Sequence, residues 1–156
     1  MSYDARQIAN WFIKRAANDG RVLSIMSLLK LAYIAHGWHL EMRGGKPLFD
    51  NRIEAWQYGP VIPDVYNEFR PQGVSASDIS PAYQAPLDAS TEDLLEQIYK
   101  IYGRMSPFQL SELTHVAGGP WETARKWGGW YAEIPDEVIL SHYVAKRQQS
   151  ANSQHG

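Results

Sequence analysis

Cysteine is absent from this sequence of 156 residues, and the absence excludes two classes of structure. Without thiols, the chain forms neither a disulfide framework nor a zinc site built on thiolates. A chain of this length is sufficient for one domain with its own hydrophobic core. We therefore expect a single domain that is held together by the packing of apolar side chains.

A surplus of positive charge is also missing. The sequence has 15 Lys and Arg against 17 Asp and Glu, for a formal net charge of −2. Domains that bind nucleic acid usually carry a basic surplus, so nucleic acid is not an expected partner. No apolar run approaches the roughly 20 residues that a membrane-spanning helix needs, and the start, Ser2-Tyr3-Asp4, does not resemble a signal peptide. We expect a cytoplasmic protein with no membrane partner.

The sequence motifs of common catalytic sites are missing as well. There is no G-x-S-x-G nucleophile motif, and Gly118-Gly119 is followed by Pro120, which removes an N–H donor that a phosphate would use. The prominent serines, Ser24 and Ser106, stand where helix N-caps are expected. We expect no enzymatic activity, no cofactor and no small-molecule substrate.

Histidine provides one alternative. His36 and His39 are three residues apart in a predicted helix, and such a pair could share a metal ion with His115. No H-E-x-x-H or similar spacing accompanies them, and a hydrogen-bonded histidine in or near the core explains each one as well. We predict no metal site. A metal-dependent enzyme that uses these three histidines is kept as an alternative.

Helical periodicity dominates the sequence. The segment Ile25–Met42 is apolar almost all round and follows Ser24 as N-cap, so it is predicted to be the core helix of the domain. Capping and periodicity predict six further helices: Tyr3–Asn18, Pro63–Phe69, one from Ser90 or Thr91 to Tyr102, Pro107–His115, Pro120–Lys126, and one from Pro135.

The stretch Lys46–Pro63 does not fit a helix. A β-hairpin is predicted there, with Asp50-Asn51-Arg52 as its turn and Tyr58-Gly59-Pro60 as a second turn. Residues 71–90 are predicted to be a long loop, and residues 148–156 a polar, disordered tail. The predicted fold is mainly α: a compact single-domain helical bundle around a central apolar helix, with a small β-hairpin, over residues 1–147.

Aromatic residues are the most informative group. Six tryptophans and nine tyrosines are many for this length, and Trp11 and Trp38 are expected in the core. Trp56, Tyr58, Tyr66 and Trp121 instead lie at the ends of predicted elements, where Trp and Tyr often anchor interfaces. A structural role explains each of them too. Stacking on single-stranded nucleic acid would require a basic groove, which the charge balance does not favour.

Four sequence blocks occur in a fixed order along the chain: K-L-A-Y-I-A-H-G-W-H-L (30–40), G-K-P-L-F (45–49), I-E-A-W-Q-Y-G-P-V (53–61) and L-T-H-V-A-G-G-P-W (113–121). Together they resemble a known family, the Panacea domain, which is the SocA-like antitoxin domain and is also labelled GepA-like in phage and prophage genes. The resemblance implies a mostly helical domain that neutralises a protein toxin encoded beside it. Members of the family neutralise diverse toxins, so the resemblance does not identify the toxin partner of this chain.

We therefore predict an antitoxin that acts by direct protein–protein binding. The predicted contact surface contains five residues: Trp56, Tyr58, Pro60, Tyr66 and Trp121. A phage or prophage interaction protein, or an adaptor that presents a host target, remains an alternative from a different functional class.

Overall fold

The structure, a computed structural model, describes residues 2–155 and confirms a compact, mainly α fold. The described part has seven α-helices: α1 (Ala5–Asn18), α2 (Ile25–Met42), α3 (Pro63–Phe69), α4 (Ala89–Tyr102), α5 (Pro107–Thr114), α6 (Pro120–Gly128) and α7 (Asp136–His155). Four short strands accompany them: β1 (Leu23–Ser24), β2 (Glu54–Trp56), β3 (Gly59–Val61) and β4 (Ser75–Ala76). Within residues 2–155, no helix is both long enough and apolar enough to cross a bilayer.

The central helix is α2, as the sequence predicts. Ser24 caps its N-terminus by accepting a 3.0 Å hydrogen bond from the Ser27 amide. Its buried residues lie on every side of the helix, because α1, α3, α4, α5 and α7 all pack against it. The closest approach is at Gly37, where a Cβ atom would lie only 2.2 Å from Cε2 of Tyr143 in α7. A residue without a side chain therefore allows α7 to contact the middle of the core helix.

The β-hairpin is present, but at a different place from the one predicted. Strands β2 and β3 pair antiparallel through a tight turn at Gln57-Tyr58, so the Asp50-Asn51-Arg52 turn was wrong. Asn51 instead accepts a 2.8 Å hydrogen bond from the Ala5 amide at the start of α1. The turn chemistry of residues 50–52 thus serves helix capping and not strand reversal.

A third extended segment lies beside the hairpin. Ala55 of β2 donates its N–H to the Ala132 carbonyl and accepts from the Tyr131 amide, both at 2.8 Å. Because the backbone groups of Ala55 point toward that segment, its pairing with Pro60 of β3 is a non-hydrogen-bonded one. Proline is tolerated there, since no ladder donor is missing.

The predicted loop at residues 71–90 is irregular in the structure, with two 3₁₀ turns and the two-residue strand β4, which pairs with β1. Asn10 of α1 anchors it. The buried Asn10 amide donates to the carbonyls of Ser80 and Tyr83, both at 2.9 Å, and its oxygen accepts from the Ser80 amide at 2.7 Å. Asp88 ends the loop as the N-cap of α4, two residues before the predicted start.

The C-terminal segment also differs from the prediction. Residues 148–155 continue α7 as helix, where the sequence predicts a disordered tail, and Gly156 lies outside the described residues. No Gly or Pro interrupts these residues, and alanine and glutamine favour helix. Ser150 and Ala151 also line a shallow groove with Trp38 of α2, so the helix has a surface to pack on.

Candidate functional site

A groove of about 1000 Å³ lies between the hairpin, the first two turns of α2 and the end of α3. Its apolar walls include Ile25, Leu29 and Val61, and its rim is largely aromatic. Pockets that take ligands and peptide segments are usually concave and mostly apolar, with a few polar groups that set orientation. The groove therefore has the size and composition of a binding site.

Four aromatic residues shape this groove. Trp56 packs edge-to-face on Tyr66 and on Tyr131, with ring centroids 5.1 Å and 5.5 Å apart. Tyr58, at the hairpin turn, and Tyr131 are each 61% exposed. Tyr131 also has a positive φ of 65°, which is uncommon for a bulky residue. The rings of Trp56, Tyr66 and Tyr131 thus form one cluster, and Tyr58 is exposed beside it at the hairpin turn.

Three side chains from different helices hold the backbone of the hairpin. The Trp121 indole Nε1 (α6) donates to the Trp56 carbonyl at 2.6 Å, and the Ser111 hydroxyl (α5) donates to the Tyr58 carbonyl at 2.6 Å. Lys30 Nζ (α2) donates to the Pro60 carbonyl at 2.9 Å. Three carbonyls at alternate positions of the hairpin are therefore each held by a side chain from a different helix.

Lys30 lies beneath this hairpin. Its side chain is 1% exposed, and burial alone lowers its pKa from 10.5 to about 7. Gly59 makes room for it, because a Cβ atom there would lie 3.1 Å from Lys30 Cε. Its Nζ is held at the buried Pro60 carbonyl, and Lys30 is one of the residues that line the groove.

The five predicted contact residues do not form one surface. Trp56, Tyr58 and Tyr66 line the groove, and Tyr58 is its exposed tip. Pro60 is buried in β3, and its carbonyl is held by Lys30. Trp121 lies behind the hairpin, where its ring stacks at 5.3 Å from His115. Pro60 and Trp121 thus position the groove, while the other three line it.

Sequence reasoning missed most residues of the groove, among them Lys30, Arg70, Val74 and Tyr131. One signal was available for Lys30, because a single lysine in an otherwise apolar helix segment is unusual. Val74 is 87% exposed and lies in the irregular loop, where no periodicity marks it. Its place at the groove depends on a backbone bond, from the Ile25 amide to the Val74 carbonyl at 2.9 Å.

The three histidines of the metal alternative have separate partners. His36 is buried and bonds through Nε2 to Asp136 Oδ1 at 2.9 Å, at the start of α7. His39 bonds to the Lys46 carbonyl at 2.7 Å, and its pKa is lowered by burial. His115 lies 3.3 Å from the Ser111 hydroxyl. In the part of the chain that the structure describes, no three His, Asp or Glu side chains gather as metal ligands.

Comparison with known proteins gives two matches. The family model described as "Antitoxin SocA-like, Panacea domain" matches residues 28–122, which include the core helix, the hairpin and Trp121. Antitoxin SocA of Caulobacter vibrioides (strain NA1000 / CB15N) is 35% identical over 157 aligned residues, covering 91% of this chain and 83% of that protein. No solved structure matches the chain. The chain therefore belongs to the SocA-like Panacea-domain family of antitoxins.

Proposed function

We propose that this protein is a cytoplasmic antitoxin that neutralises a protein toxin, encoded by a neighbouring gene, through stoichiometric binding. The observation that carries the proposal is the match to the antitoxin family over most of the chain. The proposed mechanism needs no catalytic step. The antitoxin covers a surface of the toxin, and the toxin is inactive while the complex persists.

The groove is the proposed contact surface. It brings exposed apolar residues together at a concave site, with Tyr58 61%, Val74 87% and Tyr131 61% exposed. Contiguous exposed apolar patches are typical of protein interaction sites, and tyrosine and tryptophan often supply much of the binding energy. The three carbonyl contacts hold the hairpin in place before binding, which reduces the entropy lost on association.

Co-expression tests the function. The chain is expressed together with the product of the adjacent gene, and growth and co-purification are measured. We expect the chain to restore growth and to co-purify with the toxin in a fixed ratio. A neighbouring product that stays toxic and does not bind would overturn the proposal.

Paired variants test the surface. Tyr58→Ala with Val74→Ser removes two exposed side chains at the groove, and we expect binding to weaken by about 10- to 100-fold. Trp127→Ala is the matched control, because Trp127 is 88% exposed and does not line the groove. Both proteins should unfold at the same denaturant concentration as the wild type. Full neutralisation by the groove variant, with loss in the control, would place the contact surface elsewhere.

A second groove supplies a further comparison. It has a volume of about 360 Å³ and lies between α2, α4 and α7, with Met42 and Ile101 at its surface. Met42→Ser with Ile101→Ser should leave neutralisation unchanged if the toxin binds only at the larger groove. Loss of binding in this variant would assign the contact to the smaller one.

A further inference from the structure

Lys30 is a buried cation without an ionic partner. It forms no ion pair with any carboxylate among residues 2–155, and burial is the only cause of its lowered pKa. Its hydrogen bond in that part of the chain goes to the Pro60 carbonyl. An ammonium group has three N–H donors, so two remain for another acceptor.

The two charged residues that line the groove are both positive. The lining of the groove contains a second cation, Arg70, and no Asp or Glu. Arg70 is exposed and lies 5.8 Å from the ring of Tyr66, at the rim of the groove. The groove is therefore apolar and aromatic with a local positive potential, which complements a negatively charged group.

Holding the Pro60 carbonyl uses only part of the hydrogen-bonding capacity of Lys30. Holding the Pro60 carbonyl requires one N–H donor, and a neutral amide such as glutamine supplies it without a buried charge. Burying an unpaired ammonium group costs much more than burying a neutral polar group. Such costly groups are common at functional sites, where the ligand supplies the missing partner.

We propose that the groove receives an apolar segment of the toxin whose Asp or Glu carboxylate binds Lys30 Nζ, with Arg70 adding attraction at the rim. This inference rests on the proposed antitoxin function and names the chemistry of the partner. The carboxylate accepts hydrogen bonds from the two remaining N–H groups of Lys30. The aromatic rim of the groove covers the apolar side chains of the toxin segment that lie beside this carboxylate. Burial of the segment's apolar side chains supplies the affinity, and the ion pair with Lys30 supplies the specificity for an acidic segment.

Lys30→Gln is the main test, because glutamine can keep a donor near Pro60 and removes the charge. We expect its affinity for the toxin to fall by at least about 10-fold, since a buried charge pair loses one member. Lys100→Gln is the matched control: Lys100 is exposed on α4 and does not line the groove. Its affinity should equal that of the wild type.

A double-mutant cycle identifies the carboxylate. Each Asp and Glu of the toxin is changed to Asn or Gln and measured against the wild type and Lys30→Gln. We expect one acidic position to lose affinity with the wild type and to show no further loss with Lys30→Gln. If the wild type binds the toxin and no acidic position couples to Lys30, this inference fails and the antitoxin function stands.

A peptide probe tests the inference without the toxin. Acetyl-Phe-Glu-Leu-amide and acetyl-Phe-Gln-Leu-amide are titrated into ¹⁵N-labelled protein, and the Gly59 and Ile25 amide resonances are followed. We expect the Glu peptide to bind at least about fivefold more tightly, and Lys30→Gln to abolish that preference. Equal binding of the two peptides would contradict the inference. A chain that prefers the Glu peptide but does not neutralise the neighbouring product would contradict only the antitoxin function.

Discussion

The indole Nε1 of Trp121 donates a 2.6 Å hydrogen bond to the backbone carbonyl of Trp56. The two tryptophans are 65 residues apart in sequence, and the bond joins the first turn of α6 to the end of β2. Through it, a residue outside the groove controls the position of one that lines it. This relationship separates residues that line the groove from residues that hold its walls in position.

Trp121→Phe tests this positioning role. Phenylalanine keeps an aromatic ring and removes the indole N–H that bonds to the Trp56 carbonyl, so we expect a loss of about 0.5–1.5 kcal/mol in the free energy of unfolding. Urea unfolding measures this loss. Toxin affinity should fall with the displaced hairpin, while Trp127→Ala, which removes an exposed ring of the same helix, should change neither quantity. A Trp121→Phe protein with unchanged stability would show that the bond contributes little.

Gly37→Ala is expected to displace α7 from the core helix. The added Cβ would lie 2.2 Å from Cε2 of Tyr143, a separation that the packed helices cannot accommodate without moving. We expect a loss of at least about 1–3 kcal/mol in the free energy of unfolding. In a Tyr143→Leu background the same change should cost less, because the ring that it meets is gone. Equal costs in both backgrounds would refute the steric explanation.

Asn10→Leu is expected to loosen the loop that precedes α4. The substitution removes the partners of the Ser80 amide and of the Ser80 and Tyr83 carbonyls, all from one buried side chain. Hydrogen exchange at the Ser80 amide should accelerate by about 10-fold or more, as the loss of roughly 1–3 kcal/mol of local stability requires. Asn18→Ala, an exposed asparagine at the end of the same helix, is the control. Unchanged protection in Asn10→Leu would contradict this role.

Because of Lys30, the free energy of unfolding is expected to change with pH in the neutral to alkaline range. Its pKa is about 7 in the folded protein and has its ordinary value, 10.5, in the unfolded chain. Between these values the unfolded chain binds more protons, so the wild type gains stability as pH rises through that window. Relative to Lys30→Gln, its free energy of unfolding should increase by up to about 1.4 kcal/mol per pH unit. Urea unfolding at intervals from pH 7 to 10 measures the difference, and a constant difference would contradict the shift.

Much of the fold follows from local patterns. The bounds of α2 agree with the prediction at both ends, because Ser24 caps the helix and its apolar residues continue to Met42. The capping box of Ser106 and Gln109 at the start of α5 was equally readable. Each of these features depends on residues a few positions apart, for which composition and spacing are sufficient.

The candidate site was only partly readable, and the hairpin shows why. Asp50-Asn51-Arg52 and Gln57-Tyr58 are both plausible turns, and the choice between them depends on partners far away in sequence. The Asn51 side chain accepts a hydrogen bond from the first amide of α1, whereas the carbonyls of Trp56 and Tyr58 accept hydrogen bonds from side chains of α6 and α5. Such competition is decided by tertiary contacts, which local propensity does not contain.

The sequence by itself determined the class of fold, the core helix and the family, and it marked residues 46–63 as a non-helical stretch with a hairpin. Only the tertiary structure decided which of its residues line a surface. Tyr58 lines the groove because it lies in the hairpin turn, and Pro60 is buried because it pairs with Ala55. The same packing placed Lys30 beneath them, since a buried charge depends on what surrounds it and not on its neighbours in the chain.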